Sequence, residues 1–408
     1  MLLNEVVEKL PNMSKCLERG KVVIIRIDIN SPIVDGKILD DYRIRAHAQT
    51  LRLASEAGVK SVVLAHQGRP GQDDFTSLEV HKPYLEKYVE RPIKFVDDVA
   101  GPEARRQIRE LRDGEILLLE NVRLLAEEVI ERVPEAQAET YLVKKLAPLG
   151  HYFVFDGFAV AHRSQPSVVG FPMVLPSCIG PVFERELRAL GAVFERRGEG
   201  VMLLAGGAKI PDTLKAVEQL LKNNFVEKVA VGGLVGFVFA VAKYGLLNDE
   251  IRREVERGGY LPHVERARQL LAKYGNKIHV PVDFAVERGG RIDVDVYSLS
   301  QAPLDIGRST ILLFKEVVEQ GDIVIFSGPM GYIENKVFAT GTVELLRAAA
   351  KKRLILGGGH TIMAAEMAGV LDRAFHVSTG GRAFIQTLGG EEMPAVKALL
   401  MSAKKFWP

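Results

Sequence analysis

The chain has 408 residues, of which 47% are hydrophobic and 26% charged, and its formal net charge is +2. These values are typical of a globular protein with two or three domains, and they exclude a largely disordered chain. The near-neutral charge favours neither nucleic acid nor an anionic membrane as a partner, so any preference for anions must come from locally placed side chains.

Cysteine content and the length of the apolar runs bear on the redox state of the protein and on its relation to membranes. The two cysteines, Cys16 and Cys178, are far apart and have no paired spacing. This argues against a disulfide framework and a structural zinc site, and we expect both thiols to be reduced. No run approaches the ~20 apolar residues of a membrane span, so we expect a cytoplasmic protein without a membrane partner.

The first half alternates short β-rich runs with helical patterns. Its predicted strands are 21–28, 61–66, 115–119 and 152–156. In the helix after Arg43, apolar side chains recur on one face at Ile44, Ala48 and Leu51, while Arg45 lies off that face. The alternation predicts a parallel sheet with helices on both faces.

A second alternating series follows a proline-rich stretch at 172–181 and a predicted connecting helix at 182–197. Its predicted strands are 201–205, 228–231, 278–280, 323–326, 354–356 and 375–377. The sequence therefore predicts an α/β fold with two doubly wound parallel-sheet domains, at 1–180 and 181–390, joined by a helix and hinge.

Nearly every predicted strand of the second half ends in glycine. These glycines are Gly206–Gly207, Gly232–Gly233, Gly328, Gly357–Gly359 and Gly380–Gly381. A glycine loop that opens a helix offers bare amides and a positive dipole end to phosphate, although turn geometry alone also selects glycine. Lys209 follows the first pair where a helix should begin, so its ammonium either lies over phosphates or is an ordinary solvated lysine.

Cationic side chains follow the strands of the first half instead. They are Arg43, His66, Arg69, Arg123, His162 and Arg163. Each arginine alone is more often a surface ion-pair partner, and each histidine more often a packed or solvated residue. Together at one sheet edge they suit a small substrate with carboxylate and phosphate groups, with Asp28 and Asn30 as partners for a hydroxyl.

An anionic small-molecule site in one domain and phosphate loops in the other suggest phosphoryl transfer. The chain lacks G-x-G-x-x-G, the Walker pattern, the Gly-x-Ser-x-Gly elbow and the His-Glu-x-x-His zinc helix. A carboxylate acceptor is already ionised at pH 7 and needs no general base, so cations and magnesium are sufficient for its phosphorylation.

The chain resembles the phosphoglycerate kinase family along nearly its whole length. The motifs that carry the resemblance are Arg26-Ile27-Asp28-Ile29-Asn30-Ser31-Pro32, His66-Gln67-Gly68-Arg69-Pro70, Leu119-Glu120-Asn121-Val122-Arg123, Asp156-Gly157-Phe158-Ala159-Val160-Ala161-His162-Arg163, Gly206-Gly207-Ala208-Lys209, Gly328-Pro329-Met330-Gly331 and the triple glycine. The resemblance implies reversible transfer between 1,3-bisphosphoglycerate with ADP and 3-phosphoglycerate with ATP, in glycolysis and gluconeogenesis. It also implies Mg²⁺ on the nucleotide, hinge closure, and a tail (391–408) folded back on the first domain.

The resemblance also assigns site residues. Those implied to bind phosphoglycerate are Asp28, Ile29, Asn30, Arg43, His66, Gln67, Gly68, Arg69, Arg123 and Arg163. Those implied to bind the nucleotide are Gly207, Ala208, Lys209, Glu334, Gly357, Gly358, Gly359, His360 and Thr361, with Glu334 near the ribose. Arg43 and Lys209 are the predicted catalytic residues, because cations there would stabilise the transferring phosphoryl group.

The chain departs from the family pattern at several positions. Thr213 stands where many members carry lysine, and His360 where many carry aspartate. Lys215 is a poor substitute for that lysine on helix geometry, since two positions turn a side chain by roughly 200°. Imidazole is a poor magnesium ligand, so the metal ligands stay open, as do the nucleotide preference and the choice between monomer and homodimer.

Two other functions compete with the kinase hypothesis. A dinucleotide-dependent oxidoreductase would use the second sheet, but the absent G-x-G-x-x-G fingerprint counts against it. A non-catalytic protein would bind phosphoglycerate without transferring phosphate. An assay with ATP and 3-phosphoglycerate separates these three functions.

Overall fold

The computed structural model describes residues 3–246, 248–390 and 392–407, and the chain forms two units. The first unit comprises residues 1–188 and 391–408, and the second comprises 189–390. The boundary thus falls after Arg188, inside a helix, whereas the sequence suggested a division between 180 and 181. Glu391 and Pro408, the ends of the predicted tail, lie outside the described residues.

The first unit is built on a mostly buried parallel sheet. Its strands are β1 (Val22–Arg26), β2 (Ile33–Val34), β3 (Lys37–Ile38), β4 (Lys60–Leu64), β5 (Ile93–Val96), β6 (Ile116–Leu119), β7 (Tyr152–Phe155) and β8 (Ser177–Ile179). Its helices before the boundary are α1 (Leu3–Lys9), α2 (Tyr42–Glu56), α3 (Lys82–Val89), α4 (Pro102–Arg109), α5 (Pro134–Ala138) and α6 (Tyr141–Leu146), and α7 (Pro181–Glu195) crosses the boundary. The sheet order is β5-β6-β4-β1-β7-β8, and β2 and β3 form a separate hairpin.

Burial explains the position of β1 and α2. All five residues of β1 are buried, as expected for a central parallel strand covered on both faces. The predicted apolar face of α2 is confirmed, because Ile44, Ala48 and Leu51 are buried and Arg45 is exposed. The strands predicted for the first half are also present, with ends displaced by a few residues.

Strand β8 and the cysteines depart from the sequence-based expectations. Residues 177–179 lie within the proline-rich stretch at 172–181, yet they form the edge strand beside β7. Cys178 of β8 is joined by a disulfide bond to Cys16, whose Cα lies 6.3 Å away. The prediction of two reduced thiols is therefore wrong, because a separation of 162 residues hid a contact that the sheet edge creates.

The second unit repeats the architecture. Its strands are β9 (Gly198–Ala205), β10 (Val226–Val231), β11 (Ile278–His279), β12 (Asp283–Glu287), β13 (Arg291–Asp295), β14 (Asp305–Ile306), β15 (Ile323–Ser327), β16 (Arg353–Gly357) and β17 (His376–Ser378). Its helices are α8 (Ile210–Lys222), α9 (Gly233–Tyr244), α10 (Asp249–Arg257), α11 (Leu261–Tyr274), α12 (Arg308–Glu319), α13 (Thr340–Ala349), α14 (Gly359–Met367) and α15 (Arg382–Leu388). The parallel sheet has the order β11-β10-β9-β15-β16-β17, and β13-β12-β14 form a small antiparallel sheet that the sequence did not predict. Two parallel-sheet α/β units confirm the predicted fold class.

The tail forms α16 (Pro394–Phe406) and packs on the first unit, as predicted. The Ala395 amide donates to the Ala161 carbonyl over 3.1 Å, and the Ser402 hydroxyl donates to the Leu175 carbonyl over 3.0 Å. Trp407 stacks on Tyr152 with ring centroids 6.3 Å apart. Tail and first unit therefore share one core.

Candidate active site

The carboxyl end of β1 in the first unit carries a buried carboxylate that holds an arginine. Asp28 is fully buried, and its Oδ2 accepts a 2.9 Å bond from Nη1 of Arg43 at the first turn of α2. The same Nη1 donates to the Asn30 carbonyl over 3.1 Å, and the Arg43 side chain stays 29% exposed. Arg43 is thus fixed at one end and open to solvent at the other, as a ligand-binding cation requires.

His66 lies beside this pair and is held by a residue that the site prediction did not include. Arg26 is buried at the end of β1, and its Nη2 donates to His66 Nδ1 over 3.1 Å. Burial and the charge of Arg26 hold the pKa of His66 well below its ordinary value, so the imidazole is neutral. With Nδ1 as acceptor, the proton is on Nε2, which can donate to an anionic ligand.

The charge of Arg26 is balanced through a buried hydroxyl. Arg26 Nε donates to the Ser167 hydroxyl over 2.9 Å, and that hydroxyl donates to the buried carboxylate of Glu128. The Ser167 amide donates to the same carboxylate over 3.0 Å. The sequence offered one signal for this network, an arginine that ends the apolar run Val22 to Ile25, because a buried arginine needs a partner.

Arg123 and Arg163 complete a crowded cationic cluster. Burial and the charge of Arg163 lower the pKa of Arg123 to about 10, and Arg123 Nη1 donates to the Gly68 carbonyl. Burial and the charge of Arg69 lower the pKa of Arg163 as well. Besides burial, the neighbouring positive charges contribute to both lowered pKa values, so these guanidinium groups lie close enough to repel and an anion among them would relieve the repulsion. The exposed Arg69 adds a further positive charge.

Four of the predicted phosphoglycerate residues have structural partners within the first unit. Both polar ends of the fully buried Gln67 amide bond the backbone of Ser31, over 3.0 and 2.9 Å. The Ile29 side chain lies in the hydrophobic core. The Gly68 amide donates to the Asn30 side chain over 2.7 Å, so Asn30 and Gly68 position each other. These residues shape the loop, while the open cationic groups come from arginines.

The second unit contains a cavity of about 610 Å³ at the carboxyl ends of its parallel strands. All the predicted nucleotide residues line it, namely Gly207, Ala208, Lys209, Glu334, Gly357, Gly358, Gly359, His360 and Thr361. This position, outside the carboxyl edge of an open α/β sheet, is where such folds bind ligands. The volume is suitable for a small molecule of nucleotide size.

The glycine loops around the cavity differ in what their amides can do. The amides of Gly206 and Gly207 donate to the carbonyls of Ser327 and Pro329, over 2.9 and 2.7 Å. A Cβ at position 206 would lie 2.2 Å from the Pro329 carbonyl oxygen, so glycine is required there by close packing of two loops. The expectation that these amides are bare is wrong for this pair.

The triple glycine has the geometry of an anion site. Gly358 has a φ of 96° and turns the chain from β16 into α14, which begins at Gly359. Within the described residues, the first-turn amides of Gly359 and His360 donate to no protein group. Thr361 is buried, and its hydroxyl accepts from the Gly328 amide over 2.8 Å, which ties this loop to the neighbouring one. The free amides at the positive helix end favour phosphate.

Cationic and polar residues lie at the start of α8. Lys209 immediately precedes the helix and is exposed to the cavity. Thr213 donates its hydroxyl to the Lys209 carbonyl over 3.1 Å, so its side chain bonds back to the backbone at the start of the helix. Lys215 also lines the cavity.

Other residues of the cavity lining are relevant to a metal. His360 Nε2 lies 3.7 Å from Glu334 Oε1, and both side chains are well exposed. Within the described residues, no group of three or more histidine, cysteine or acidic side chains could hold a metal ion. The carboxylates of Asp212 and Glu334 line the cavity, and Mg²⁺ commonly binds through one or two carboxylates together with substrate phosphates. The cavity therefore fits magnesium that arrives with a nucleotide.

Known proteins resemble this chain over nearly its whole length. The family model for phosphoglycerate kinase matches residues 13–391. A phosphoglycerate kinase from Pyrobaculum aerophilum is 79% identical over 406 residues, covering 100% of both chains, and one from Sulfurisphaera tokodaii is 45% identical over 390 residues, covering 94% of each. The crystal structure of phosphoglycerate kinase from Pyrococcus horikoshii has a TM-score of 0.90 at 37% identity and covers 97% of this chain and 100% of that one. In the described residues no helix is long and apolar enough to cross a membrane. The chain belongs to the phosphoglycerate kinase family.

Proposed function

We propose that the cationic cluster of the first unit binds phosphoglycerate and that the cavity of the second unit binds ATP or ADP. The reaction is that of the family, reversible phosphoryl transfer between 1,3-bisphosphoglycerate with ADP and 3-phosphoglycerate with ATP, in glycolysis and gluconeogenesis. The observation that carries the site assignment is the grouping of Arg43, Arg123 and Arg163 around the buried His66, because closely placed positive charges suit an anionic ligand.

Arg43 and Lys209 are the proposed catalytic residues. Charge on the transferring phosphoryl group spreads over its equatorial oxygens, and preorganised cations stabilise that charge best. Arg43 is preorganised by two bonds from its Nη1, to Asp28 and to Asn30. Lys209 precedes a helix at the cavity wall, where its flexible ammonium can follow the phosphate.

The nucleotide phosphates would lie on the amides of Gly359 and His360, with Glu334 near the ribose. Magnesium would be held mainly by the nucleotide phosphates and water, with Asp212 or Glu334 as the protein carboxylates. When bound, the ion neutralises charge on the phosphates. Direct transfer also requires the acceptor and donor ligands to meet, and we therefore propose closure of the two units about a hinge during turnover, in the cytoplasm.

A coupled assay tests the proposal. With ATP, Mg²⁺ and 3-phosphoglycerate the chain should form ADP, and omitting 3-phosphoglycerate should abolish it. Lys209→Ala should lower kcat strongly, whereas Lys215→Ala, a matched change on the same cavity, should have a smaller effect. Binding of 3-phosphoglycerate without ADP formation would leave only a binding protein. Scattering that shows no compaction with both substrates would contradict closure.

A further inference from the structure

The buried face of α2 carries two polar residues that the proposed site does not use. His47 and Thr50 are both fully buried on this helix. A buried polar side chain must find partners, since an unsatisfied one costs about 1–3 kcal/mol. The partners of His47 lie on two different strand ends, those of β1 and β7.

His47 bridges Asp28 and a second buried aspartate. The Asp28 backbone amide lies 3.4 Å from His47 Nε2, and His47 Nδ1 lies 3.2 Å from Oδ2 of Asp156, just after β7. The amide can only donate, so Nε2 is the acceptor and the single proton of a neutral imidazole is on Nδ1. That proton then points to the Asp156 carboxylate. The neighbours of the ring therefore select one tautomer.

Asp156 is held firmly on its other sides. The Thr50 hydroxyl donates to Oδ2, and the Phe183 amide in the first turn of α7 donates to Oδ1 over 2.9 Å. Gly180 packs against this carboxylate so closely that a Cβ there would lie 2.3 Å from Asp156 Cγ. A carboxylate with both oxygens engaged is a rigid support for an imidazole.

Asp28 is therefore held from one helix at two points. Arg43 bonds its carboxylate, and His47, one turn further along α2, bonds its backbone amide. We propose that His47 is a positioning residue for phosphoglycerate binding, because it fixes the peptide of Asp28 and thereby the carboxylate that orients Arg43. This inference rests on the proposed function, which places Arg43 at the phosphoglycerate.

Two near-isosteric variants separate the halves of the bridge. The carbonyl oxygen of His47→Gln can take the place of Nε2 and accept from the Asp28 amide. The amide nitrogen of His47→Asn can take the place of Nδ1 and donate to Asp156, but it leaves the Asp28 amide without an acceptor. A role in packing alone predicts that both variants lose stability to a similar degree without a selective kinetic change.

The experiment measures KM for 3-phosphoglycerate and for ATP, kcat, and thermal stability of the full chain. We expect His47→Asn to raise KM for 3-phosphoglycerate at least tenfold with KM for ATP within twofold, and His47→Gln to restore KM for 3-phosphoglycerate to within threefold of wild type. An unchanged KM for 3-phosphoglycerate in folded His47→Asn overturns the inference, as does an equal rise in both KM values.

Two further measurements keep the test decisive. In ¹⁵N-histidine-labelled wild type, proton–nitrogen correlation spectra should show His47 as the neutral Nδ1–H tautomer, and the other tautomer overturns the inference even if the variants do not fold. Arg123→Ala tests the site itself. If Arg123→Ala leaves KM for 3-phosphoglycerate unchanged, the proposed site fails. If it raises that KM while His47→Asn does not, only the role of His47 fails.

Discussion

Replacing Arg43 with alanine should damage catalysis more than folding. Its guanidinium makes two bonds from Nη1, and the Asp28 carboxylate that it neutralises is fully buried. After the change, that carboxylate keeps the Asn30 amide at 3.2 Å, with His66 at 4.0 Å. Because the Arg43 side chain is 29% exposed, water can enter, and we expect a loss of about 1–3 kcal/mol in unfolding free energy.

The catalytic loss should be larger. Arginines that stabilise a transferring phosphoryl group contribute on the order of 10³ in kcat, or about 4 kcal/mol. The assay is ADP formation with saturating ATP and 3-phosphoglycerate, together with thermal unfolding. The matched control is Arg45→Ala. Arg45 lies two residues further along α2 and pairs with Asp41 at the surface. It should leave kcat within about twofold, as expected for an exposed pair.

A double variant separates charge burial from catalysis. Adding Asp28→Asn to Arg43→Ala removes the unpaired buried charge, so most of the lost stability should return while the activity stays low. Less than a tenfold loss of kcat in Arg43→Ala, or recovery of activity in the double variant, would refute a catalytic role for Arg43.

Three further predictions concern pH, the metal and the disulfide. Burial depresses the pKa of His81 to about 4. The contribution of the neutral side chain to the free energy of unfolding is therefore complete above about pH 6.5, and about 3 kcal/mol of it is lost as the pH falls towards 4. In urea titrations, acidification should lower the free energy of unfolding of His81→Gln less than that of wild type, and an equal decrease would contradict this. His360→Asp should lower the Mg²⁺ concentration that half-saturates activity, since carboxylate is the better magnesium ligand, and an unchanged titration would remove His360 from the metal's surroundings. Cys16→Ser should cost about 2–5 kcal/mol, and a reductant should lower the melting temperature of wild type but not of this variant; a reductant without effect on wild type would count against the bond in solution.

Local pattern was enough to predict most of the fold. Apolar periodicity located α2, and the β-rich runs located both central sheets, because each of these patterns is formed by residues that are close together in the sequence. The edge strand β8 was hidden by neighbouring prolines, and the short strands β13 and β14 are too polar to show a run. The disulfide depends on a tertiary contact across 162 residues, which no local pattern carries.

The residue types of the candidate site could be predicted from the sequence, but not which of those residues have partners inside the protein. Strand-end arginines and glycines indicated anion binding, since parallel strands bring their carboxyl ends to one edge. Sequence could not show that Gln67 and the amide of Gly207 have internal partners, because those partners lie on other loops. It also missed Glu128, an ordinary acidic residue until the fold buries it beside Ser167.

In the proposed function, one set of residues binds phosphoglycerate and another binds the nucleotide. A crystal structure with 3-phosphoglycerate and a magnesium complex of a non-hydrolysable ATP analogue tests it directly. We expect hydrogen bonds from Arg43 and Arg123 to phosphoglycerate, and from the amides of Gly359 and His360 to the nucleotide phosphates. Phosphoglycerate bound away from these arginines, or nucleotide phosphates bound away from the start of α14, would contradict it.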